Sequence, residues 1–439
     1  MGPEQYYQPQ IEKIDRHELE ALQLERLKAT VARCYENIPF YQQAFQAAGL
    51  KPADIQSLDD LRRLPFTTKQ DMRSGYPFDL FALPVNDAQV QRLHASSGTT
   101  GNATVVGYTQ NDIQVWGDTF ARAIAMVGGD EHSILQVSYG YGLFTGGLGA
   151  HEGGIRMGCT ILPMGSGNTK RQVQMMRDFG VDILACTPSY ALLIADTAIE
   201  MGYNPATDFK ISGAICGAEP CSQGMRQEIE EKLGVKFVDI YGLSEVMGPG
   251  VSCECRYQNG LHVAEDHFII EILDPQTLEP VPDGEYGEVV FTTLSKECSP
   301  LLRYRTRDIS RILPGQCQCG RTLRRMDRIQ GRTDDMLIVR GVNVFPSQFQ
   351  EVLANFKEVT SYYQIVLRSR GPLDHVVLKV ETVPEFDFDE IRRIDDLQRR
   401  IKTELKSNLQ VSVEVKIVEP KSIERSEGKA RRVLDQREK

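Results

Sequence analysis

The sequence predicts an α/β protein with a large N-terminal domain of several helix-covered sheets and a small, mobile α+β domain at the C-terminus. The length of 439 residues exceeds one ordinary core, and short apolar runs alternate with helix-length segments between about 130 and 245. A separate α+β pattern follows residue 331. We therefore expect domains at 1–330 and 331–439.

The first elements follow from apolar spacing. Leu24, Leu27 and Val31 recur at helical spacing before Pro39, which predicts a helix over 16–38. Further along, four short apolar runs alternate with helix-length segments; we expect strands at 133–138, 182–187, 211–217 and 236–241, and helices at 170–178 and 222–233. Such alternation predicts a parallel sheet covered by helices, with the ligand bound by the loops after the strands.

The rest of the chain contains an all-β segment and the C-terminal block. Between 268 and 313 the runs FIIEILDP, GEVVFTTL and SRIL are separated by Pro, Asp and Gly turns, which predicts strands. In the C-terminal block we expect strands at 336–339, 362–367, 375–382 and 411–418, and helices at 347–356 and 389–407.

The net charge and the search for targeting signals argue against several classes of protein. Fifty basic against sixty acidic residues give a net charge of −10, which argues against nonspecific nucleic-acid binding. We see no apolar stretch of the roughly 18–20 residues that a membrane helix needs and no secretory signal at the start, so we expect a cytoplasmic protein. Ten cysteines in such a chain predict metal ligands or buried thiols rather than a disulfide scaffold.

A loop rich in hydroxyls and glycines is the first candidate site. It consists of Ser96, Ser97, Gly98, Thr99, Thr100 and Gly101, which can wrap N–H and hydroxyl donors around phosphate oxygens. By itself such a run also fits a polar surface loop. It is not a Walker P-loop, because no Lys precedes the Ser/Thr.

Several further motifs follow in order: GAEP (217–220), YGLSE (241–245), YRTRD (304–308), GRTD (331–334) and GKA (428–430). With them the chain resembles the adenylate-forming acyl-activating superfamily. Within that superfamily it resembles the phenylacetate–coenzyme A ligases, in the stretches LPFTTKQDMR (64–73), YGYGLFTGGLG (139–149), YGLSEVMGPGV (241–251) and RGVNVFPSQ (340–348).

The resemblance implies a two-step reaction. A carboxylate attacks ATP to give acyl-AMP and pyrophosphate, and the thiol of coenzyme A then displaces AMP. The loop at 96–101 would hold the leaving phosphates, Glu245 would hold Mg²⁺, and Asp308 would accept the ribose hydroxyls with Arg332 beside it. The other residues implied at the nucleotide are Gly217, Ala218, Glu219, Pro220, Asp239, Ile240, Tyr241, Gly242 and Ser244.

Each of these roles has a plainer alternative. Glu245 also fits a solvated acid at a helix entry, and Tyr241 also fits a core tyrosine. Asp308 could merely be neutralised by its neighbours Arg305 and Arg307.

The resemblance makes Lys429 the catalytic lysine of adenylation, although a basic, solvated tail is the alternative. A lysine in the small domain can act only if that domain closes over the large one. The resemblance also implies that Asp334 is the hinge, and Gly341 would line the path of coenzyme A.

The same resemblance implies an acyl pocket around a flat aryl ring. Its residues would be Tyr139, Phe144, Gly217, Ala218, Ile240 and Pro249, with Lys69 attracting the substrate carboxylate. Tyr139 and Phe144 could instead be ordinary packing residues.

The clustered cysteines indicate a separate metal site. Cys317 and Cys319 form a CxC pair, and a second pair, Cys253 and Cys255, lies upstream with His262. Three thiolates and an imidazole suit a closed, structural Zn²⁺ site. We predict Cys255, His262, Cys317 and Cys319 as ligands, with Cys253 as the alternate. Buried free thiols are the other interpretation.

Together these observations predict an ATP- and Mg²⁺-dependent ligase that joins an aryl acid, most simply phenylacetate, to coenzyme A. Indoleacetate, benzoate or hydroxyphenylacetate as the acid, or a carrier-protein thiol as the acceptor, stay open. An alternative of another class is a zinc-organised nucleotide-binding module without catalysis. The expected partners are small molecules, with no nucleic acid or membrane, and a homodimer is a family-level expectation.

Overall fold

The computed structural model describes residues 5–96, 102–333, 337–339, 342–370, 373–388, 390–409 and 413–437. The α-helices are α1 (Pro9–Glu12), α2 (Arg16–Asn37), α3 (Pro39–Ala47), α4 (Lys69–Ser74), α5 (Gln110–Val127), α6 (Thr145–Met157), α7 (Thr169–Asp178), α8 (Pro188–Glu200), α9 (Pro205–Asp208), α10 (Gln223–Leu233), α11 (Pro346–Leu353) and α12 (Ile391–Leu409). Two 3₁₀-helices cover Pro52–Asp54 and Leu58–Arg63.

The strands of the large domain are β1 (Val90–Ala95), β2 (Val105–Thr109), β3 (Ile134–Val137), β4 (Thr160–Pro163), β5 (Ile183–Cys186), β6 (Gly213–Gly217), β7 (Lys236–Leu243), β8 (Gly248–Glu254), β9 (Leu261–Val263), β10 (Phe268–Leu273), β11 (Gly287–Thr293), β12 (Tyr304–Ser310), β13 (Ile312–Leu313), β14 (Arg325–Met326) and β15 (Gly331–Arg332). The remaining strands are β16 (Leu337–Val339), β17 (Val342–Val344), β18 (Val359–Arg370), β19 (Leu373–Thr382), β20 (Val413–Val418) and β21 (Val433–Asp435).

A nine-stranded sheet forms the centre of the large domain, in the order β13-β14-β9-β8-β7-β6-β5-β3-β4. Strands β3 to β7 are parallel, as the alternating pattern predicted, and the others are antiparallel. Helices α5 and α6 cover one face and α7, α8 and α10 cover the other. Every residue of β5 and β6 is buried, because helices on both faces exclude water from these strands.

Local signals set the ends of the covering helices. In α5 the Thr109 hydroxyl accepts from Asp112 N–H and Asp112 returns the bond, which is a capping box. Gly128 ends the helix at φ 100°, a left-handed conformation that glycine adopts without strain. The predicted helix at 16–38 is confirmed as α2.

A second sheet, β10-β11-β12-β15, is antiparallel. The expectation of a strand at SRIL is wrong in its bounds, because the third strand is β12, which ends where SRIL begins, and β13 belongs to the large sheet. The alternation in β12 is inverted: Thr306 and Asp308 are buried, whereas Ile309 is only half-buried. Apolar periodicity therefore could not find this strand.

The small domain is a four-stranded sheet, β20-β19-β18-β21, with α11 and α12 packed on it. Leu397, Ile401 and Leu405 form the buried stripe of α12. The C-terminal tail is not simply a solvated segment, because β21 adds to the sheet in parallel with β18. The predicted boundary at 331 stays a prediction.

The small domain rests on helices α8 and α10 of the large one. Tyr362 packs into the apolar cluster of these helices and donates its hydroxyl to Asp196 at 3.1 Å. Ser361 donates to Glu228 at 2.6 Å. Among the helices of the described ranges, none combines the length and apolar character that crossing a membrane requires.

Candidate functional site

The carboxyl ends of β6 and β7 form the floor of the site. A Cβ on Gly217 would lie 2.0 Å from the carbonyl oxygen of Ile240, so only glycine fits at the end of β6. The chain then turns through Ala218 at φ 72°, a left-handed conformation, into Glu219 and Pro220. The predicted nucleotide residues of GAEP therefore lie beside those of β7.

A carboxylate network connects β7 with the second sheet. The Tyr241 hydroxyl donates to Asp308 Oδ2 at 2.6 Å, and Arg332 donates to Asp308 Oδ1 at 2.9 Å. Burial, and next the Asp308 carboxylate, hold the pKa of Tyr241 well above its usual value, so the phenol stays protonated. Asp308 is 5% exposed, and its carboxylate can only accept hydrogen bonds.

The neighbouring arginines in the YRTRD motif have a different carboxylate partner. Arg305 binds Glu288 at 2.6 Å, and Arg307 lies 3.8 Å from Glu288. The alternative in which these two arginines serve to neutralise Asp308 therefore loses support.

Asp239 lies on the face of β7 opposite to Ile240. Its N–H donates to Glu254 at 3.1 Å, and Glu254 binds the fully buried Arg226 at 2.6 Å. Burial, and next the Glu254 charge, raise the pKa of Asp239 to about 7. Ile240 is 2% exposed and belongs to the apolar cluster on the α5–α6 side.

Oxygen donors and a lysine surround Glu245, which follows β7. Thr104 donates to Glu245 Oε1 at 3.3 Å, and the hydroxyls of Thr104 and Ser96 are 2.5 Å apart. Lys69 Nζ, at the start of α4, lies 3.2 Å from the same carboxylate oxygen. Glu245 is 5% exposed, so it is not the solvated acid of the alternative interpretation. The carboxylate of Glu245 is an oxygen ligand of the kind that a hard cation such as Mg²⁺ prefers, and in this structure the Lys69 ammonium is its cationic partner.

Two buried side chains fix the turn that carries Glu245. Lys296 donates to the carbonyl of Val246 at 3.0 Å, and Tyr108 donates to the carbonyl of Met247 at 2.7 Å. The ammonium of Lys296 lies 4.3 Å from the centre of the Tyr108 ring. Burial lowers the pKa of Lys296 to about 8.

Further contacts hold the residues on both sides of this turn. The hydroxyls of Thr145 and Ser244 are 3.0 Å apart, which connects the start of α6 to the residue before Glu245. Gly242 lies so close to the Gly248 carbonyl that a Cβ would be 1.8 Å from its oxygen. The Pro249 carbonyl accepts from the Trp116 indole N–H at 3.0 Å.

The predicted aromatic residues occupy different environments. Tyr139 is 3% exposed in the same cluster as Ile240, and burial holds the pKa of its hydroxyl well above the usual value. Phe144 is 46% exposed at the N-cap of α6. The structure thus groups Tyr139 with Ile240 and Gly217 and leaves Phe144 at the surface.

The segment around Lys429 is docked on the large domain. The Gly428 carbonyl accepts from the hydroxyls of Thr187 and Ser189, both at 3.1 Å. The Ala430 N–H donates to Glu219 Oε2 at 2.8 Å. Lys429 is exposed, and its backbone lies at the ends of β5 and β6. The small domain is therefore closed over the predicted nucleotide residues.

Some predicted residues lie outside the described part of the chain. They are Ser97, Gly98, Thr99, Thr100 and Gly101 of the hydroxyl loop, the hinge residue Asp334, and Gly341 of the coenzyme A path. Their assignments stay predictions.

Three thiols and an imidazole converge at one end of the large sheet. We call Cys255, His262, Cys317 and Cys319 the thiol cluster; all four are buried, and one ligand atom from each lies within 4.8 Å of all the others. Cys255 Sγ is 3.6 Å from Cys317 Sγ, and His262 Nε2 is 3.4 Å from Cys319 Sγ. The donor set fits Zn²⁺.

The alternate ligand Cys253 is not part of the thiol cluster, because its thiol donates to the Glu254 carbonyl at 3.3 Å. All ten cysteines, each within the described ranges, are free in this structure.

Four residues of the site escaped the sequence prediction: Thr104, Thr187, Ser189 and Lys296. Thr104 lies in the same hydroxyl-rich run as Ser96, and Thr187 directly follows β5, so both had a positional signal. Ser189 and Lys296 had none, because each becomes notable only through contacts with distant parts of the chain.

Comparisons with known families and proteins agree with this geometry. Residues 57–294 match the model of the AMP-binding enzyme family, and residues 341–437 match the AMP-binding enzyme C-terminal domain. A phenylacetate-coenzyme A ligase of Escherichia coli (strain K12) is 50% identical over 429 residues, which is 97% of each chain.

Solved structures extend the comparison to domain arrangement. A 2-hydroxyisobutyryl-CoA ligase in the postadenylation state, in complex with R3-HIB-AMP, is 27% identical and superposes with a TM-score of 0.91. The same ligase in the thioesterification state, with 2-HIB-AMP and CoA, is 28% identical and superposes with a TM-score of 0.72. Both alignments cover 98% of this chain and 92% of the other. The chain as a whole thus superposes better on the former state than on the latter.

Proposed function

The chain belongs to the phenylacetate–coenzyme A ligases of the AMP-binding enzyme family. We propose the following roles for its site residues in the two half-reactions. The enzyme is an AMP-forming acid–thiol ligase. In the first step a carboxylate oxygen bonds to the α-phosphorus of ATP and pyrophosphate leaves. In the second step the sulfur of coenzyme A bonds to the acyl carbon and AMP leaves. The alternative of a binding module without catalysis is therefore set aside.

Asp308 holds the ribose in this proposal. Its carboxylate is buried and already oriented by Tyr241 and Arg332, at 2.6 Å and 2.9 Å. A carboxylate only accepts, so it can receive both ribose hydroxyls. Gly217 to Pro220, with the adjoining part of β7, then border the adenine.

Ser96 and Glu245 hold the phosphates and their metal. Mg²⁺, when bound, neutralises negative charge on the phosphate oxygens. Glu245 offers it an oxygen ligand, and Thr104 and Lys69 orient that carboxylate through contacts of 3.3 Å and 3.2 Å. Lys69 could also bind the carboxylate of the substrate in place of Glu245. The hydroxyl loop 97–101 completes the phosphate site.

Lys429 is the catalytic lysine of adenylation, and its position is the observation that carries this proposal. The peptide groups on both sides of Lys429 are hydrogen-bonded to Thr187, which follows β5, and to Glu219, a predicted nucleotide residue that follows β6. An ammonium there can stabilise charge on the α-phosphate and attract the attacking carboxylate. Asp334 is the hinge that releases the domain for the second step, and Gly341 then lines the thiol path.

Phenylacetate is the proposed acid because the family relative is named for it and because the buried residues proposed to border the ring are the aromatic Tyr139, the aliphatic Ile240 and the small Gly217. Tyr139, Ile240 and Gly217 border the ring, with Ala218 and Pro249 at its edge. Phe144, which is exposed at the N-cap of α6, would have to close over the ring when substrate binds. Indoleacetate, benzoate or hydroxyphenylacetate stay open, because one methylene changes discrimination by only about 1–3 kcal/mol. Coenzyme A is the acceptor rather than a carrier-protein thiol.

Zn²⁺ in the thiol cluster is proposed as a structural ion. All four ligand residues are buried, which is typical of a structural site without an open coordination position. A homodimer also stays a prediction.

Half-reactions test the proposal. Wild type should release pyrophosphate only with ATP, Mg²⁺ and phenylacetate together. Lys429→Ala should lose adenylation yet still form phenylacetyl-CoA from supplied phenylacetyl-AMP, while Lys406→Ala, an exposed lysine of α12, should behave as wild type. Equal loss of both steps in Lys429→Ala would contradict the role of Lys429, and release without added acid would indicate an NTPase.

A further inference from the structure

Three large-domain residues bind the backbone on both sides of Lys429. They are Thr187, Ser189 and Glu219, which we call the tail dock. We propose that the tail dock positions Lys429 for adenylation and that its Thr187 and Ser189 hydroxyls take no part in thioester formation. This inference rests on the proposed role of Lys429 and adds the residues that hold it in place.

The tail dock fixes the main chain and leaves the lysine side chain free. Thr187 and Ser189 donate to the carbonyl of Gly428, and Glu219 accepts from the N–H of Ala430. The peptide groups before and after Lys429 are thus both held by the large domain. The Lys429 carbonyl is bound within the tail, by the Ser426 hydroxyl at 3.0 Å. Only the side chain retains its rotamer freedom.

The dock residues are themselves held in place, because Glu219 is bonded to Ser189 and Thr187 caps the start of α8. Glu219 uses Oε1 to accept from the Ser189 N–H at 2.6 Å and Oε2 to accept from Ala430. Thr187 is also the N-cap of α8 and accepts from the Tyr190 N–H at 3.3 Å. A long, flexible side chain reaches a reacting phosphate more often when its backbone is held by fixed partners.

The contacts are also specific to one domain arrangement. They join residues 187–189 and 219 of the large domain to residues 428–430 of the small one, so any swing of the small domain breaks them together. The arrangement seen here superposes better on a postadenylation state than on a thioesterification state of a related ligase. Loss of the dock should therefore slow only the first half-reaction.

The test compares two half-reactions in dock variants. Adenylation is followed as pyrophosphate release, and thioester formation is followed from supplied phenylacetyl-AMP and coenzyme A. Ser189→Ala and Thr187→Val should each lower the adenylation rate about 3- to 10-fold, the effect of one neutral hydrogen bond. The KM for ATP should stay near the wild-type value, and thioester formation should not slow.

Matched variants separate positioning from general damage. Thr187→Ser keeps both the hydroxyl and the helix cap, so it should restore adenylation relative to Thr187→Val. Thr197→Val removes a hydroxyl from the same helix, where it donates to the Leu193 carbonyl at 2.7 Å and does not reach the tail. This control should leave both steps unchanged.

The outcomes distinguish the dock from the function on which it rests. If Lys429→Ala leaves adenylation intact, the proposed role of Lys429 fails and the dock fails with it. If Lys429→Ala abolishes adenylation while Ser189→Ala and Thr187→Val adenylate at the wild-type rate, the dock alone is refuted. Equal slowing of both half-reactions by the dock variants would also refute it, because that result indicates a structural role.

Discussion

Substituting one ligand of the thiol cluster should remove a structural metal ion from the large domain. Cys317→Ser replaces a buried thiolate ligand with a hydroxyl, which binds Zn²⁺ poorly. Cys317 lies in the loop between β13 and β14, whereas Cys255 and His262 lie at the β8–β9 hairpin. An ion at the cluster would therefore cross-link two segments that are distant in sequence.

The size of the effect follows from ligand linkage. An ion present at about 1,000 times its Kd stabilises the folded state by about 4 kcal/mol. With an unfolding entropy of about 2.1 cal/mol/K per residue, each kcal/mol changes the Tm of a large domain of about 330 residues by about 1.4 °C, so loss of the ion should lower Tm by roughly 6 °C. The reaction should persist at low temperature, because the proposed reaction residues lie at other strand ends.

Metal analysis and calorimetry measure these quantities on the same protein. Wild type should contain about one zinc ion per chain, and Cys317→Ser should contain almost none, with the lower Tm reproduced by a zinc chelator on wild type. Cys253→Ser is the matched control, because Cys253 is equally buried but its thiol donates to a carbonyl outside the cluster. A wild-type protein without any thiophilic ion would refute the zinc proposal, as would equal metal loss in Cys253→Ser.

Two other substitutions test the carboxylates near the nucleotide site. Asp308→Asn removes the charge that would accept the ribose hydroxyls, so the KM for ATP in pyrophosphate release should rise roughly 10- to 100-fold; an unchanged KM would contradict the ribose role. The pKa of Asp239 is raised from 3.8 to about 7, so the folded state binds the carboxyl proton more tightly than the unfolded state does. The free energy of unfolding therefore falls as the pH rises from about 4 to about 7. Asp239→Asn should remove this fall, measured as the urea-unfolding free energy between about pH 4 and about pH 8; a variant that keeps the wild-type slope would show that another group is responsible.

Much of the site could be predicted because its residues follow strands. The apolar runs ending at Gly217 and near Tyr241 identified parallel strands, and the carboxyl ends of such strands share one edge of a sheet. The thiol cluster was predictable as a set, because few residue types bind zinc. The exclusion of Cys253 was not, since it depends on which way β8 and its turn direct each side chain.

The contacts that close the domains could not be predicted from local patterns. Ser189 and Gly428 are joined only in the folded chain, and a serine after a proline at a helix start is an ordinary capping context. Asp308 was found by its motif, whereas its strand was missed, because buried polar residues in β12 replace the apolar alternation that signals a strand.

The closed arrangement is held by several polar contacts, of which the hydrogen bonds that Ala430 and Tyr362 donate to the carboxylates of Glu219 and Asp196 are the stronger, at about 1.5–3 kcal/mol each. Lys421 and Glu200 form an ion pair between exposed side chains, and such pairs contribute about 0–1 kcal/mol. The two hydroxyl bonds of the tail dock are neutral, at about 0.5–1.5 kcal/mol each. Tyr362 adds one buried aromatic contact. A ligase whose small domain must leave after adenylation needs two arrangements that differ by only a few kcal/mol, because a more stable closed state would trap acyl-AMP. The polar dock meets this need: it orients the backbone of Lys429 through directional bonds, and water can replace those bonds when the domain swings away.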